Sequence, residues 1–183
     1  MEPPTVSVIS GRDIPKETLR KLQRMWLTVF DVHNPLWKRD EELLPNDVFF
    51  IVYSGKRIMS AGRLRSISLT FRGKRYGIQG IADIASVVKN RGFGTLVMKS
   101  MHDYLMKGEE TGIGFADKEN ASFYRKCSFK VNPDIRARFY YRDKEGRLRT
   151  VEDEVVIYLE RDELIKEILK HPESKVLSPI YFW

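Results

Sequence analysis

The chain has 183 residues, of which 42% are hydrophobic and 31% are charged, and its net charge at pH 7 is +7. This length and this composition are typical of a folded globular protein and exclude a disordered chain. They predict a single domain over residues 1–183, with a C-terminal tail at 171–183. The positive charge suits a phosphorylated ligand, nucleic acid or an acidic membrane surface equally well, and so does not distinguish among them.

Cysteine and histidine usage limits the chemistry. Cys127 is the only cysteine, which excludes an internal disulfide and a multi-cysteine metal site. The three histidines have no paired spacing, so we expect no metal. Residues 1–4 lack the basic-then-apolar pattern of a leader, and the apolar run 48–53 is too short to span a bilayer. We therefore expect a cytoplasmic protein with no membrane partner.

The first half of the chain predicts a strand, a helix and three further strands. Residues 5–9 alternate as in a strand, and Asp13-Ile14-Pro15 opens a helix whose apolar residues recur every three or four positions. His33-Asn34-Pro35 ends this helix, and a charged connector follows at 36–44. Short turns then separate three apolar stretches, which predict consecutive antiparallel strands at 48–53, 58–71 and 76–87.

The second half predicts a crossover between parallel strands. A helix over 95–107 leads to a strand at 112–116, and such a connection implies that the strands flanking it are parallel. A second short helix follows near residue 120. Strands are then expected at 129–131, 135–141 and 155–159, the last two forming a hairpin about a turn at 143–146, before a helix at 161–170. The sequence thus predicts an α/β (α+β) fold with a mixed, mostly antiparallel sheet.

A glycine-containing segment lies where the parallel crossover begins. It reads Val87-Val88-Lys89-Asn90-Arg91-Gly92-Phe93-Gly94-Thr95. Glycine lets the backbone approach a ligand, and the N-terminus of a helix favours an anion. The segment therefore predicts a site for a pyrophosphate.

A second segment, about thirty residues later, offers a phenol. Asn120-Ala121-Ser122-Phe123-Tyr124-Arg125-Lys126 lies on the second short helix. A diphosphate carrier with a reactive end, handled by a proton-donating tyrosine, indicates acyl transfer from an acyl-coenzyme A. The bland alternative is that Tyr124 is a core residue and Asn120 only a helix cap.

The order of elements and the two segments resemble the GCN5-related N-acetyltransferase (GNAT) family. Its loop has the form Arg/Gln-x-x-Gly-x-Gly/Ala, which Lys89, Gly92 and Gly94 match, with Lys89 in place of Arg or Gln. A second register would put Arg91 in the Arg position and Leu96 in that of the last small residue. The other family motif is similar to Asn120…Phe123-Tyr124-x-Lys126-x-x-Phe129.

This resemblance implies a GNAT-like sheet with helices on both faces, a parallel strand pair at the cofactor cleft and acetyl-coenzyme A as cosubstrate. Tyr124 would protonate the departing thiolate. Backbone N–H groups near Ala85, Ser86 and Val87 would hold the oxyanion. The implied cofactor-binding residues are Ala85, Ser86, Val87, Lys89, Asn90, Arg91, Gly92, Phe93, Gly94, Thr95, Asn120 and Phe123.

The general base is open at this stage. Asp83 precedes the loop, but because strand residues alternate between faces its direction does not follow from the sequence. Other candidates are a chain of water molecules and the side chains His33, Glu41, Glu42 and Glu152.

Within the family the chain is loosely similar to the aminoglycoside 2′-N-acetyltransferases. The shared features are Phe71-Arg72-Gly73, the acidic residues 152–154 and a C-terminal tryptophan. The similarity implies that Glu152, Asp153 and the carboxylate of Trp183 contact the substrate. The alternative is ordinary surface charge and a packing tail.

The resulting hypothesis is an N-acetyltransferase acting on a primary amine of a small molecule or peptide, with no nucleic-acid partner and with homodimer formation left open. The alternative is a non-catalytic basic module of the same fold. It would recognise RNA or another polyanion through the arginine-rich hairpin at 136–149.

Overall fold

The computed structural model describes residues 3–30, 44–143 and 145–179. Up to the crossover, the elements are β1 (Thr5–Ser10), α1 (Lys16–Phe30), a 3₁₀ turn (Leu44–Asn46), β2 (Asp47–Ser54), β3 (Arg57–Phe71), β4 (Lys74–Ser86) and α2 (Phe93–Gly108).

The remaining elements are short. They are β5 (Gly112–Ala116), a 3₁₀ turn (Lys118–Asn120), α3 (Ala121–Lys126), β6 (Lys130–Asn132), a 3₁₀ turn (Arg136–Arg138), β7 (Phe139–Arg142), β8 (Leu148–Thr150), β9 (Val155–Leu159), α4 (Leu164–Lys170) and β10 (Val176–Ser178). None of the helices in the described ranges is long and apolar enough to cross a membrane.

The chain forms two compact units. The first comprises Met1–Arg65 and Ala82–Met101, and the second comprises Ser66–Ile81 and His102–Trp183. Each of three elements, β3, β4 and α2, is therefore divided between the two units.

The first unit contains helices on both faces of its strands. β2 pairs antiparallel with β1 and with β3, as predicted for β2 and β3. α1 packs Leu22, Met25 and Trp26 into a core that includes Ala61 of β3. The next residue, Gly62, faces the opposite side, and a Cβ there would lie 2.9 Å from Met101 Cε of α2. Glycine therefore lets α2 approach the sheet closely on that face.

The second unit contains the predicted parallel pair. Its strand order is β6-β9-β5-β4-β3-β10-β7-β8, and Gln79, Gly80 and Ile81 of β4 pair in parallel with residues 112–114 of β5. A Cβ at Gly114 would be only 2.8 Å from the Ile81 carbonyl oxygen. Glycine at this position therefore allows the two strands to lie close together. α4 covers this region by burying Leu164, Ile165 and Ile168 in the core. The mixed α/β sheet predicted from the sequence is confirmed.

The predicted C-terminal hairpin is wrong. β9 pairs antiparallel with β5 and β6, whereas β7 pairs with β8, over Tyr140 to Arg142 and Leu148 to Thr150. All three residues of β8 are exposed, so they lack the alternation of apolar residues by which a strand is recognised. β9 is almost wholly buried and lies between β5 and β6, second from one end of the strand order.

Three further features of the second half differ from expectation. Residues 136–138, predicted as strand, form the 3₁₀ turn Arg136–Arg138. α4 begins at Leu164 instead of 161. The predicted tail contains β10, which pairs antiparallel with β3 and parallel with β7. A three-residue strand is too short to give a periodic signal.

Candidate active site

The predicted phosphate loop is exposed and leads directly into α2. Residues 87–92 are all exposed, and Asn90 and Gly92 have φ angles of +60° and +79°. The Leu96 N–H donates to the Gly92 carbonyl oxygen (3.1 Å), so the helix begins at this glycine. The first N–H groups of a helix lack partners within the helix and favour an anion. Lys89 and Arg91 add two exposed cations, and the loop therefore fits a phosphate group.

Gly92 leaves one side of the loop open. A Cβ built at Gly92 would meet no atom within 4 Å, so the glycine is required by its positive φ and not by a neighbouring side chain. Phe93, Gly94 and Thr95 are half-buried in the first turn of α2. In the described structure, therefore, nothing crowds this side of Gly92.

The end of β4 is fixed to β3. The Val87 N–H donates to the Met59 carbonyl oxygen (2.9 Å), and the Ala85 carbonyl oxygen accepts from Ser60 Oγ (2.7 Å). Because the polar groups of a strand alternate in direction, the Ser86 N–H points away from β3. The Val87 N–H, predicted as an oxyanion donor, is thus used within the sheet. Ser86 is left as the donor that this strand can present.

Asp83 occupies a bend in β4. Its φ is +57°, which is uncommon for a residue other than glycine and is maintained only by its surroundings. Its carbonyl oxygen accepts from Trp26 Nε1 (2.8 Å), and its carboxylate accepts from Arg63 Nε. The predicted base is therefore an ion-pair partner of a buried arginine.

Arg63 belongs to a buried charge cluster that sequence reasoning did not identify. Asp47 accepts from Arg63 Nη1 (2.9 Å) and from Arg65 Nε (3.2 Å). Asp47 is 1% exposed, and each arginine is 3% exposed. The sequence signal for this cluster was the pair of arginines at alternate positions of β3, within its buried stretch, because buried charges require partners. The cluster joins β2, β3 and β4 ahead of the loop.

Tyr124 is buried on α3, with 9% of its surface exposed. Burial, followed by electrostatic interactions with Asp153, Cys127 and Asp117, raises the pKa of its phenol to about 12. A phenol with this pKa is protonated at neutral pH and can act as a proton donor.

The other residues of the second motif lie beside Tyr124. The Phe123 ring is 5.1 Å from the Tyr124 ring and meets it edge to face. Asn120 is exposed, and its side chain makes no capping hydrogen bond, so capping does not explain it. Cys127 is buried and forms no disulfide.

Acidic side chains meet where β5 ends and β9 begins. Ala116 pairs with Val155, and Glu154 Oε2 accepts from the Lys118 N–H (2.9 Å). Burial, then Asp117 and Glu152, raises the pKa of the Asp153 carboxyl. The ionised form of Asp153 is therefore disfavoured by its surroundings, and Asp117 is a neighbour of Tyr124 that sequence reasoning did not name.

Four predicted residues lie outside the described residues. They are Trp183, named for substrate binding, and His33, Glu41 and Glu42, named as alternative bases. In the described ranges, no group of three or more His, Cys, Asp and Glu side chains could hold a metal ion.

The arginines of the hairpin at 136–149 are mostly engaged within the protein. Arg136 and Arg138 donate to the carbonyl oxygens of Val151 and His171. Arg147 and Arg149 form ion pairs with Asp143 at 2.8 and 3.0 Å. Burial is the largest single influence on the pKa of the Asp143 carboxyl and raises it. The hydrogen bonds and charges of Arg147 and Arg149 together outweigh burial and hold this pKa well below its usual range.

Comparison with solved structures finds the same fold in acyltransferases. One is a conserved protein of unknown function from Enterococcus faecalis V583, described as a probable N-acyltransferase (20% identity, TM-score 0.58, covering 72% of this chain and 33% of that chain). Another is a GCN5-related N-acetyltransferase from Kribbella flavida (16%, 0.54, 74% and 37%). A third is an aminoglycoside acetyltransferase from an uncultured soil metagenomic sample (17%, 0.54, 68% and 86%).

The chain spans 33% and 37% of the length of the first two structures. Sequence identities of 20% or less show a shared fold alone. A search of curated proteins found no match.

A sequence family model matches more than half of the chain and identifies the class of domain. The family model for the acetyltransferase (GNAT) domain matches residues 11–132. The chain belongs to the GNAT family, as the sequence motifs predicted.

Proposed function

We propose that the chain is an N-acetyltransferase that transfers the acetyl group of acetyl-coenzyme A to a primary amine of a small molecule or peptide. Family membership supports acyl transfer in general. The observation that carries the proposal is the exposed basic loop before α2, a 16-residue helix. Its positive-φ glycine, its two cations and the start of the helix together suit a pyrophosphate.

Bound acetyl-coenzyme A would supply an activated thioester. Lys89 and Arg91 would hold the diphosphate, together with N–H groups of the first turn of α2. The Ser86 N–H would donate to the carbonyl oxygen as it gains negative charge.

Tyr124 is our candidate for the acid that protonates the departing thiolate. The raised pKa keeps the phenol protonated at neutral pH, so a proton is available when the carbon–sulfur bond breaks.

For the general base, the ion pair between Arg63 and Asp83 argues against proton uptake by Asp83. A protonated Asp83 would leave the buried guanidinium with one carboxylate fewer. We propose that Asp83 holds the bend of β4 and that the amine proton leaves through water, with exposed Glu152 as the candidate acceptor among the described residues.

Acidic groups support a cationic acceptor. Asp153 and Asp117 both act on Tyr124, and a carboxylate kept in costly surroundings is a common feature of functional sites. An aminoglycoside-like polyamine is one acceptor with the charge to match. The aminoglycoside acetyltransferase cited above shares the fold with this chain, and the acceptor class rests on the acidic residues.

Acetyl-coenzyme A binding tests the proposal first. At about a hundred times its dissociation constant, a ligand stabilises the native state by roughly 2.7 kcal/mol, so acetyl-coenzyme A should raise the melting temperature. Coenzyme A release should then be measured over aminoglycosides, polyamines and lysine-containing peptides.

Matched variants make the binding test specific to the loop. Lys89→Gln combined with Arg91→Gln should weaken acetyl-coenzyme A binding, and Lys56→Gln combined with Arg57→Gln should not. The second pair is also exposed and belongs to the β2–β3 turn. The proposal is overturned if the parent protein fails to bind acetyl-coenzyme A, or if both double variants bind as the parent does.

A further inference from the structure

A pocket of about 410 Å³, lined by both polar and apolar groups, lies in the second unit. Its volume is within the range of small-ligand sites. The residues that line it come from β3, β4, β7, β8 and β10, and none belongs to the loop before α2 or to α3. Its polar side chains include Ser68, Thr70, Arg75, Tyr140, Tyr141 and Arg142.

The positive charge of this pocket is not neutralised by its lining. None of the described residues that line the pocket is acidic. Arg75 is exposed and has no ion-pair partner among the described residues. Arg142 donates to the Gly146 carbonyl oxygen (2.8 Å) and, over the same ranges, forms no ion pair.

This arrangement contrasts with the tip of the same hairpin. There Arg147 and Arg149 are both paired with Asp143, so the basic charge predicted from the sequence is largely compensated. Two acidic groups act on Tyr141: after burial, Glu152 and Asp143 raise the pKa of its phenol, whereas Arg149 lowers it, and Asp143 is itself paired with Arg147 and Arg149. The cations available to an anion are thus Arg75 and Arg142.

Aromatic groups accompany these cations. Tyr140 is half-buried, and the Lys175 ammonium lies 4.8 Å from the centre of its ring. A planar heteroaromatic base can stack on such a ring, and a displaced lysine can then meet a phosphate. Ser68 and Thr70 provide hydroxyl groups for a sugar or a base edge.

We propose that this pocket binds a nucleotide, with Arg75 and Arg142 holding the phosphate and Tyr140 stacking on the base. The ligand is either a free nucleotide or one residue of a single-stranded nucleic acid. Both ligands offer a base, a sugar and a phosphate. The affinity for a nucleic-acid strand should depend more strongly on salt, because the strand brings several phosphates and releases more counterions on binding.

Binding should be measured on the full chain with the four ribonucleoside monophosphates and with a fluorescent single-stranded oligouridine, each at several salt concentrations. Tyr140→Leu should weaken binding about tenfold, in line with the value of one stacked base. Arg142→Gln should weaken binding to a similar extent, because it removes a charged hydrogen-bond donor to the phosphate. Arg75→Gln should also weaken binding, and because Arg75 is exposed, that variant will fold. Arg147→Gln, on the same hairpin, is the matched control and should bind as the parent does.

The loop before α2 is a competing site, since coenzyme A itself carries a nucleotide. Binding that Arg91→Gln abolishes, or that acetyl-coenzyme A displaces while Tyr140→Leu has no effect, would overturn the proposal. So would equal binding by Arg147→Gln and Arg142→Gln, or displacement by inorganic phosphate with no effect of Tyr140→Leu. Binding by mononucleotides alone would identify a small-molecule site. Strand binding that weakens steeply with salt would identify a nucleic-acid site.

Discussion

The indole N–H of Trp26 donates a 2.8 Å hydrogen bond to the backbone carbonyl of Asp83. Trp26 belongs to α1 and is 1% exposed, whereas Asp83 is the residue at which β4 bends with a positive φ. Arg63 of β3 contacts the carboxylate of the same residue. One strained residue is thus held by a helix and a neighbouring strand, three positions before the Ser86 donor.

Trp26→Phe should destabilise the protein. The ring remains aromatic, but the Asp83 carbonyl loses its indole donor, and leaving a buried polar group short of a partner costs about 1–3 kcal/mol. Urea unfolding measures this change. Leu27→Ala, one position along on the exposed side of α1, should cost much less. Equal losses in both variants would contradict a specific role for the indole.

Asp47→Asn should be more damaging, because it removes the charge between two buried arginines. Loss of one partner from a buried ion pair typically costs about 3–5 kcal/mol. Asp143→Asn is the matched control, since Asp143 also meets two arginines but in an exposed hairpin, where solvent screens the interaction. Unfolding in guanidinium chloride compares them. Similar effects in both would show that burial does not determine the value of the cluster.

The sequence predicted the elements whose side chains carry a strong pattern. β5 and β9 are buried over most of their length and were placed at their correct bounds, and α2 began two residues earlier than expected. β8 and β10 carry no such pattern, because three residues cannot show periodicity and their pairing depends on distant strands.

The candidate site divides in the same way. The glycine loop and Tyr124 were visible because their residue types are unusual at that spacing. The ion pair of Asp83 depends on a bend in β4 that no local pattern records. The Asp47 cluster joins residues of three strands, which come together only in the folded chain.

Two substitutions at Gly92 distinguish the effect of backbone strain from the effect of a side chain that blocks the ligand. Gly92→Val should be strained, because a β-branched residue strongly disfavours a φ of +79°. Asn tolerates that conformation, so Gly92→Asn should keep its stability and still bind acetyl-coenzyme A more weakly if phosphate approaches the open side of the loop. Calorimetric titration and melting temperature together check this. Unchanged affinity in both folded variants would remove the loop from the cofactor site.

Asp153→Asn should stabilise the protein at neutral pH while reducing activity. The pKa of Asp153 is raised, chiefly by burial, so its protonated form is the one that the fold favours. That contribution is present below the ordinary pKa of an aspartate and is lost as the pH rises through the raised value. The neutral amide should therefore raise the melting temperature at pH 7. Exposed Glu152→Gln is the control, and a lower melting temperature for Asp153→Asn than for the parent would contradict the argument.

Tyr124→Phe separates catalysis from packing. The ring stays in place, and only the acid is deleted. If Tyr124 protonates the thiolate, the single-turnover rate should fall by about 10² to 10⁴, the usual value of general acid–base catalysis, while acetyl-coenzyme A affinity stays nearly constant. If Tyr124 served packing alone, the Tyr124→Phe variant would lose about 1 kcal/mol of stability, and its single-turnover rate would stay close to that of the parent.

The stability of the protein at alkaline pH gives an independent readout of the Tyr124 phenol. Because the pKa of Tyr124 rises from 10.0 to about 12 on folding, its stabilising contribution is fully present below pH 10 and is lost as the pH approaches 12. The difference in unfolding free energy between parent and Tyr124→Phe should therefore shrink over that interval. A variant that shows this pH effect, but whose rate stays within about threefold of the parent and so outside the acid–base range, would establish a buried tyrosine that is not the catalytic acid.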